Sequence, residues 1–249
     1  VKMFMDGVLE SRTAFLLQDY ANHPGERGEA LFSAERFAEI CKEIDRRGLQ
    51  IAVHAIGDAA VRRTIDGYEA ARCVNGARDS RHRIEHIELI DPVDVPRLAA
   101  NGITASLQPS HPPGAMDFPL TTMEAVMPAP LWRTAYLCRT LADRGTPLAF
   151  GSDWPVADVD VLRSLSAQGS RGSYPGGLDE RVSLMQAIRA YTADGAWAVH
   201  LDHLTGRLTP GLAADLVLLD ADIEALAPEE YPDAGIRLTI AGGRVVYRA

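Results

Sequence analysis

Four residues able to hold a metal stand beside short apolar runs in this chain. Gly151-Ser152-Asp153-Trp154 closes the run Thr146-Pro147-Leu148-Ala149-Phe150. Ile51-Ala52-Val53 runs into His54, and Arg83-Ile84-Glu85 runs into His86. The chain opens with Val1-Lys2-Met3-Phe4-Met5-Asp6-Gly7. A neutral imidazole is a good zinc ligand when a second partner orients its ring. A carboxylate such as Asp153 can ligate a metal and accept a proton from metal-bound water, whose pKa zinc lowers to about 7. Lys2 has two chemical uses in such company. Its amine can form a Schiff base with a carbonyl compound, or CO₂ can convert it into an anionic bridging ligand. The His-His-Asp set favours the second. A Lys, two His and an Asp, each expected at the C-terminal end of a different strand, form a metal-site pattern. In a barrel of parallel strands all those ends converge on one face.

Each residue also has a plainer reading. His54 or His86 alone would be a buried histidine bonded to a backbone carbonyl. Asp153 could cap a following helix, although Pro155 weighs against that, and Lys2 could be a surface lysine near the terminus. Two histidines on successive strand ends shift the balance toward a metal. Asp58 is near enough in sequence to act as an outer partner of His54, while Glu85 and Glu88 read as solvated charges. His111 sits in the Pro-rich run 108–114, over the same face, as a substrate contact or a structural loop residue. Trp154 either walls the pocket or packs in the core. The loop from Pro109 to Arg133 is expected to shape the pocket. His23, His82, His200 and His203 read as surface residues, and Arg133 as structural.

The elements that must position these groups alternate. Ser33 precedes a helix carried by Phe37, Ile40, Cys41 and Ile44 and ended by Gly48. Residues 50–54 form a strand, and a helix starts near Asp58 and runs through Val61, Ile65 and Tyr68. Arg83 to Ile87 is a strand, Asp91-Pro92 opens a helix, and Ile103 to Leu107 is a strand. Leu131 to Arg144 reads as helix, Pro147 to Phe150 as strand, and Val182 to Val199 as one long helix. Strand-helix repeated about five times calls for a parallel α/β architecture. A complete (β/α)₈ TIM barrel takes roughly 250 residues, yet the repeats stop near residue 200. The arithmetic leaves five units, so about three more, with further sequence, are expected upstream of Val1. The tail differs: Leu216 to Asp220 is a strand, and Arg237–Ala241 and Arg244–Tyr247 form a hairpin around Gly242-Gly243. The expected division is a barrel portion at 1–205 and a small β-sandwich portion at 206–249.

Composition narrows the function. A formal net charge of −9 argues against nucleic acid and against an anionic membrane surface. No apolar run approaches the ~20 residues of a membrane span. Cys41, Cys73 and Cys138 are odd in number and widely spaced, as reduced thiols of a cytoplasmic protein would be. A homo-oligomer stays open.

Taken together, the motifs resemble a known family. Lys2-Met3-Phe4-Met5-Asp6-Gly7, Ser11-Arg12-Thr13-Ala14, His54-Ala55-Ile56-Gly57-Asp58, Arg83-Ile84-Glu85-His86, Gln108-Pro109-x-His111, Gly151-Ser152-Asp153-Trp154-Pro155 and Gly211 to Leu218 look like the YtcJ-like branch of the metal-dependent amidohydrolase superfamily, which includes N-substituted formamide deformylase. The resemblance covers essentially the whole chain, in order. It implies a (β/α)₈ barrel beside a β-sandwich. It further implies one or two divalent ions, zinc first among them, with Lys2 as carboxylated bridge, His54 and His86 as ligands, and Asp153 as ligand and general acid/base. Metal-activated hydroxide would then attack a non-peptide carbon–nitrogen bond of a small amide-type substrate; His111 and Trp154, by their position, are the candidate substrate contacts. The family's first strand carries a His-x-His pair, which is absent here. Two alternatives therefore stand beside the hydrolase: a non-catalytic or incomplete amidohydrolase fragment, and a Schiff-base lyase using Lys2.

Overall fold

The computed structural model of the chain describes residues 1–21, 23–115 and 118–249. Strands β1 Lys2–Phe4, β2 Ala52–Ala55, β3 Arg83–His86, β4 Thr104–Leu107 and β5 Leu148–Phe150 pair in that order, all parallel. Helices α1 Ala34–Arg46, α2 Asp58–Asn75, α3 Val95–Ala100, α4 Leu120–Val126 and α5 Cys138–Asp143 fall between them. Helices α6 Val161–Ser170, α7 Leu184–Tyr191 and α8 Ala193–Ala198 follow β5. A strand order that never reverses belongs to a barrel rather than to a doubly wound sheet. The expected α/β fold is thus present as five adjacent strands of a (β/α)₈ barrel, with a small antiparallel sheet after it.

The strand register sorts the side chains into rows. Met3, Val53, Ile84, Ala105 and Leu148 lie side by side. Val53, Ile84, Ala105 and Leu148 all enter the main apolar core, with Phe37 and Cys41 of α1 and Ile65 and Tyr68 of α2. The neighbouring row reads Phe4, His54, Glu85, Ser106 and Ala149. Successive residues of a strand face opposite ways, so one face of the sheet packs on helices and the other carries polar chemistry. Gly67 lets α1 and α2 close up, because a Cβ there would lie 2.4 Å from the Phe37 ring.

Strands β6 Leu216–Leu219, β7 Ile236–Ala241 and β8 Arg244–Arg248 form the antiparallel sheet. Gly242 and Gly243 turn its hairpin with φ of 55° and 77°, the left-handed pair such a turn needs. Tyr231, on a 3₁₀ segment between β6 and β7, is buried in the main core. No helix among the described residues is long and apolar enough to cross a membrane.

Several local expectations are corrected. The helix expected over Leu131–Arg144 is a 3₁₀ turn, Ala129–Thr134, followed by an extended break and then α5. Ala135 bridges to Leu89, and the Tyr136 amide donates to the Glu88 carbonyl, so the loop after β3 claims those groups. The single helix expected over Val182–Val199 is two. Ser183 and Gln186 cap α7 reciprocally, and Thr192 breaks it with φ −121° and ψ −92° while its hydroxyl donates to the Ile188 carbonyl. Helix α6, unmarked by periodicity, starts where the Asp160 side chain accepts from the Arg163 amide. Asp153 is therefore not that helix's cap. Lys2 opens β1 rather than ending it, level with Ala52 and two residues below His54.

His82 is not a surface residue. It is buried, and its Nδ1 accepts from the Ile51 amide at 3.1 Å while Nε2 faces Asp45 at 3.2 Å. Only neutral imidazole protonated on Nε2 satisfies both partners, and burial pulls its pKa down to about 4. The unfolded value is about 6.5. The neutral ring therefore supports the fold fully above about 6.5, and that support drains away as pH falls toward 4. Urea denaturation should show stability falling across this window by on the order of 3 kcal/mol from this group. His82→Phe should start less stable at pH 7 and vary less steeply between pH 6.5 and 4. An unchanged pH dependence in the variant would contradict the assignment.

Candidate metal centre

The site is built on strand ends, but alternation alone would not assemble it. His54 lies in the polar row of β2, whereas His86 shares a register level with Ala55, a helix-facing position. The backbone turns left-handed at His86 (φ 75°) and again at Ile87 (φ 49°), an uncommon state for such residues. The two imidazoles consequently meet edge to face, 4.5 Å between centroids. His111, on the loop after β4, stacks on His86 at 6.1 Å with an interplanar angle of 11°. Asp153, three residues beyond β5 and also left-handed (φ 58°), comes to the same place. His86, His111 and Asp153 each offer a ligand atom, all within 4.8 Å of one another.

The partners of the histidines decide which nitrogens remain available. His54 Nε2 lies 2.9 Å from the Gly7 carbonyl oxygen, which can only accept, so it carries the proton and leaves the Nδ1 lone pair free. His86 Nδ1 lies 2.9 Å from Gln108 Oε1, and the Gln108 amide donates to the Ser106 carbonyl, which fixes that oxygen toward the ring. His86 therefore protonates Nδ1 and offers Nε2. Second partners of this kind set the tautomer of metal-binding histidines. His111 Nε2 faces the Ser152 carbonyl at 3.3 Å. All three rings are buried, and burial is the main cause that lowers each of their pKa values. For His86, burial together with the neighbouring His54 and His111 brings it to about 3. Neutral rings at physiological pH are the form a metal requires, and the donor set fits a divalent ion.

Lys2 is about half-exposed, 3.8 Å from Glu85, whose carboxylate also accepts from Arg83 at 2.7 Å. Burial is the leading cause that lowers the Lys2 pKa, and Asp153 is among the charges acting on it. Glu85 and Glu88 are both buried, contrary to the expectation of solvated charges. Burial pushes Glu88 up to about 8. Trp154 is 70 % exposed and does not line the recess that contains His86 and His111. Asp58 does not reach His54; its carboxylate accepts from the Leu17 and Ala59 amides. Within the loop from Pro109 to Arg133, Met116 and Asp117 lie outside the described residues.

The residue that organises this end of the sheet is Asp6. Fully buried, its carboxylate accepts from the amides of Phe15 (2.9 Å), Ile56 (3.0 Å) and Gly57 (2.8 Å). Burial raises its pKa to about 6, with the three amides pulling the other way. Those bonds tie the loop after β1 to the loop after β2 and set the Gly7 carbonyl on His54. Gly57 must be glycine at this junction, because a Cβ would fall 2.1 Å from the Phe15 carbonyl oxygen. The Asp-Gly pair straight after a strand was the available signal.

Parallel strands in barrel order, with a histidine-carboxylate cluster at their C-terminal ends, define a protein of the barrel class with a candidate metal site. The profile of the Amidohydrolase family matches residues 1–247, and the chain belongs to that family. It is 34 % identical to Protein LONG AFTER FAR-RED 3 of Arabidopsis thaliana, across 99 % of this chain and 42 % of that one. It is 30 % identical to the Bacillus subtilis protein YtcJ, across 99 % of this chain and 46 % of that one. Among solved structures, an uncharacterized metal-dependent hydrolase from Pyrococcus furiosus superposes with a TM-score of 0.74 at 30 % identity, covering 86 % of this chain and 42 % of its own. The resemblance read from the motifs thus holds. The chain spans less than half the length of each of these relatives.

If Asp6 holds the two loops together, its loss strands three amides, two of them buried. Asp6→Ala should lower stability by on the order of 3 kcal/mol in urea denaturation, and Asp6→Asn by less. A neutral Asp6→Ala would show that the amides find other partners.

Proposed function

We propose that this protein hydrolyses a non-peptide carbon–nitrogen bond of amide type with the help of a divalent metal. The observation that carries the reading is the pairing of His54 with the Gly7 carbonyl and of His86 with Gln108, which leaves one lone pair on each of two touching neutral rings. Nδ1 of His54, Nε2 of His86 and the Asp153 carboxylate would hold the ion, with Lys2 as a further ligand once carboxylated. Zinc suits imidazole and carboxylate, and manganese, iron or nickel share that preference in part. When bound, such an ion supplies Lewis acidity and water acidic enough to ionise near neutral pH.

The chain's own groups would do the rest. Carboxylation of Lys2 by CO₂ needs the neutral amine, and the lowered pKa of Lys2 raises that fraction. Asp153 would take a proton from the attacking water and deliver it to the departing nitrogen. The C–N bond then breaks to an acid and an amine. His111, stacked on His86, would contact the substrate or add a donor to the ion. The amide-type bond is supported by the family's name and by the motif resemblance to N-substituted formamide deformylase.

The test is turnover. N-benzylformamide, a simple amide, a carbamate and a cyclic imide would be offered to protein reconstituted with zinc or manganese. At least one should be hydrolysed, and Asp153→Asn should lower its kcat/KM by roughly 10²–10⁴-fold with the fold intact. Wild-type turnover retained in Asp153→Asn would refute this role for Asp153.

A further inference from the structure

A buried guanidinium shares a recess with the candidate metal ligands. Arg171, the residue after α6, is 7 % exposed. Among the described residues its one side-chain hydrogen bond runs from Nη1–H to the Tyr136 carbonyl at 3.2 Å, and it lies 5.7 Å from the centroid of the Tyr174 ring. No carboxylate pairs with it among the described residues. Glu180, which is also buried, is turned instead to the amide and hydroxyl of Thr140, at 2.8 and 2.6 Å. Arginine keeps its charge in proteins, and one neutral carbonyl plus a ring face leave most of its donors without an acceptor. A buried cation lacking a counter-charge is costly to the fold. Such a group at a cavity wall is most simply explained by a ligand that brings the anion.

The recess opens to solvent, and its enclosed part, about 20 Å³, has room for little more than one small polar group. Its wall is formed by His86 and His111, by apolar Leu107, Pro112 and Phe150, and by Arg171. A carboxylate reaching in from solvent would meet the guanidinium there, beside the candidate metal ligands and the apolar wall. A planar carboxylate matches the guanidinium fork better than a point charge would. We infer that this recess is an anion subsite in which Arg171 anchors a carboxylate, so that the substrate is an amide-type compound with an apolar body and a free carboxylate. The word substrate rests on the hydrolase reading above; the anion subsite rests on Arg171 alone.

Binding, not turnover, tests it. Calorimetry on the full chain would compare N-benzoylglycine with N-methylbenzamide, which lacks the carboxylate. The wild type should bind the carboxylate at least tenfold more tightly at low salt. Arg171→Met should bring the two probes level. Arg171→Lys, which keeps the charge but not the fork, should retain part of the preference and provides the reading if the Met variant does not fold. Equal affinities in the wild type would overturn the inference, as would a full preference surviving in a folded Arg171→Met or undiminished in Arg171→Lys. A preference that depends on Arg171, in protein that hydrolyses none of the amides, would uphold the subsite and remove the hydrolase reading. Turnover of neutral amides with no such preference would do the reverse.

Discussion

The site depends on one buried carboxylate that takes no part in the proposed chemistry. Asp6 gathers the amides of Phe15, Ile56 and Gly57 at the point where two parallel strands end. Parallel strands leave such ends as loops with unpaired amides, and buried amides must find acceptors. By supplying them, Asp6 fixes the Gly7 carbonyl against His54 and so selects which nitrogen of that ring is free. The geometry of a candidate ligand is thereby set one residue away from the ligand itself. Asp6 Oδ1 is also only 3.7 Å from His54 Nε2, so the same group lends that N–H some electrostatic support.

A second constraint is electrostatic. His54, His86 and His111 crowd together out of water, where none can readily hold a proton. Desolvation and mutual repulsion keep the cluster neutral, which leaves lone pairs exposed to each other. A divalent cation would relieve that arrangement, and the carboxylate of Asp153 would balance part of its charge. Lys2 and Arg83 both pair with Glu85, so the polar face of the sheet is already partly neutralised.

The architecture was largely legible. Apolar runs of four or five residues alternating with helical periodicity give parallel strands and covering helices, and His54 and Asp153 fall at strand ends as expected. What the sequence hid was decided by backbone geometry and tertiary bonds. The left-handed turn at His86 and Ile87, which swings a ring from the helix face toward His54, has no residue signature. The break at Ala135–Leu137 arises because Leu89 and Glu88, far back in the chain, claim its backbone groups. Burial of His82 came from Asp45 on α1, with no pattern near His82 to reveal it. Arg171 lies in a stretch without periodicity, and only the recess around it marks it out.

The central claim is that His54 and His86 hold a divalent metal. Its most direct test is metal content per chain, by mass spectrometry of protein loaded with zinc and then freed of excess ion, in the wild type and in the His54→Ala/His86→Ala double variant. The account predicts at least one ion per wild-type chain and near none in a folded double variant. Equal occupancy in the two, or an empty wild type, would contradict it.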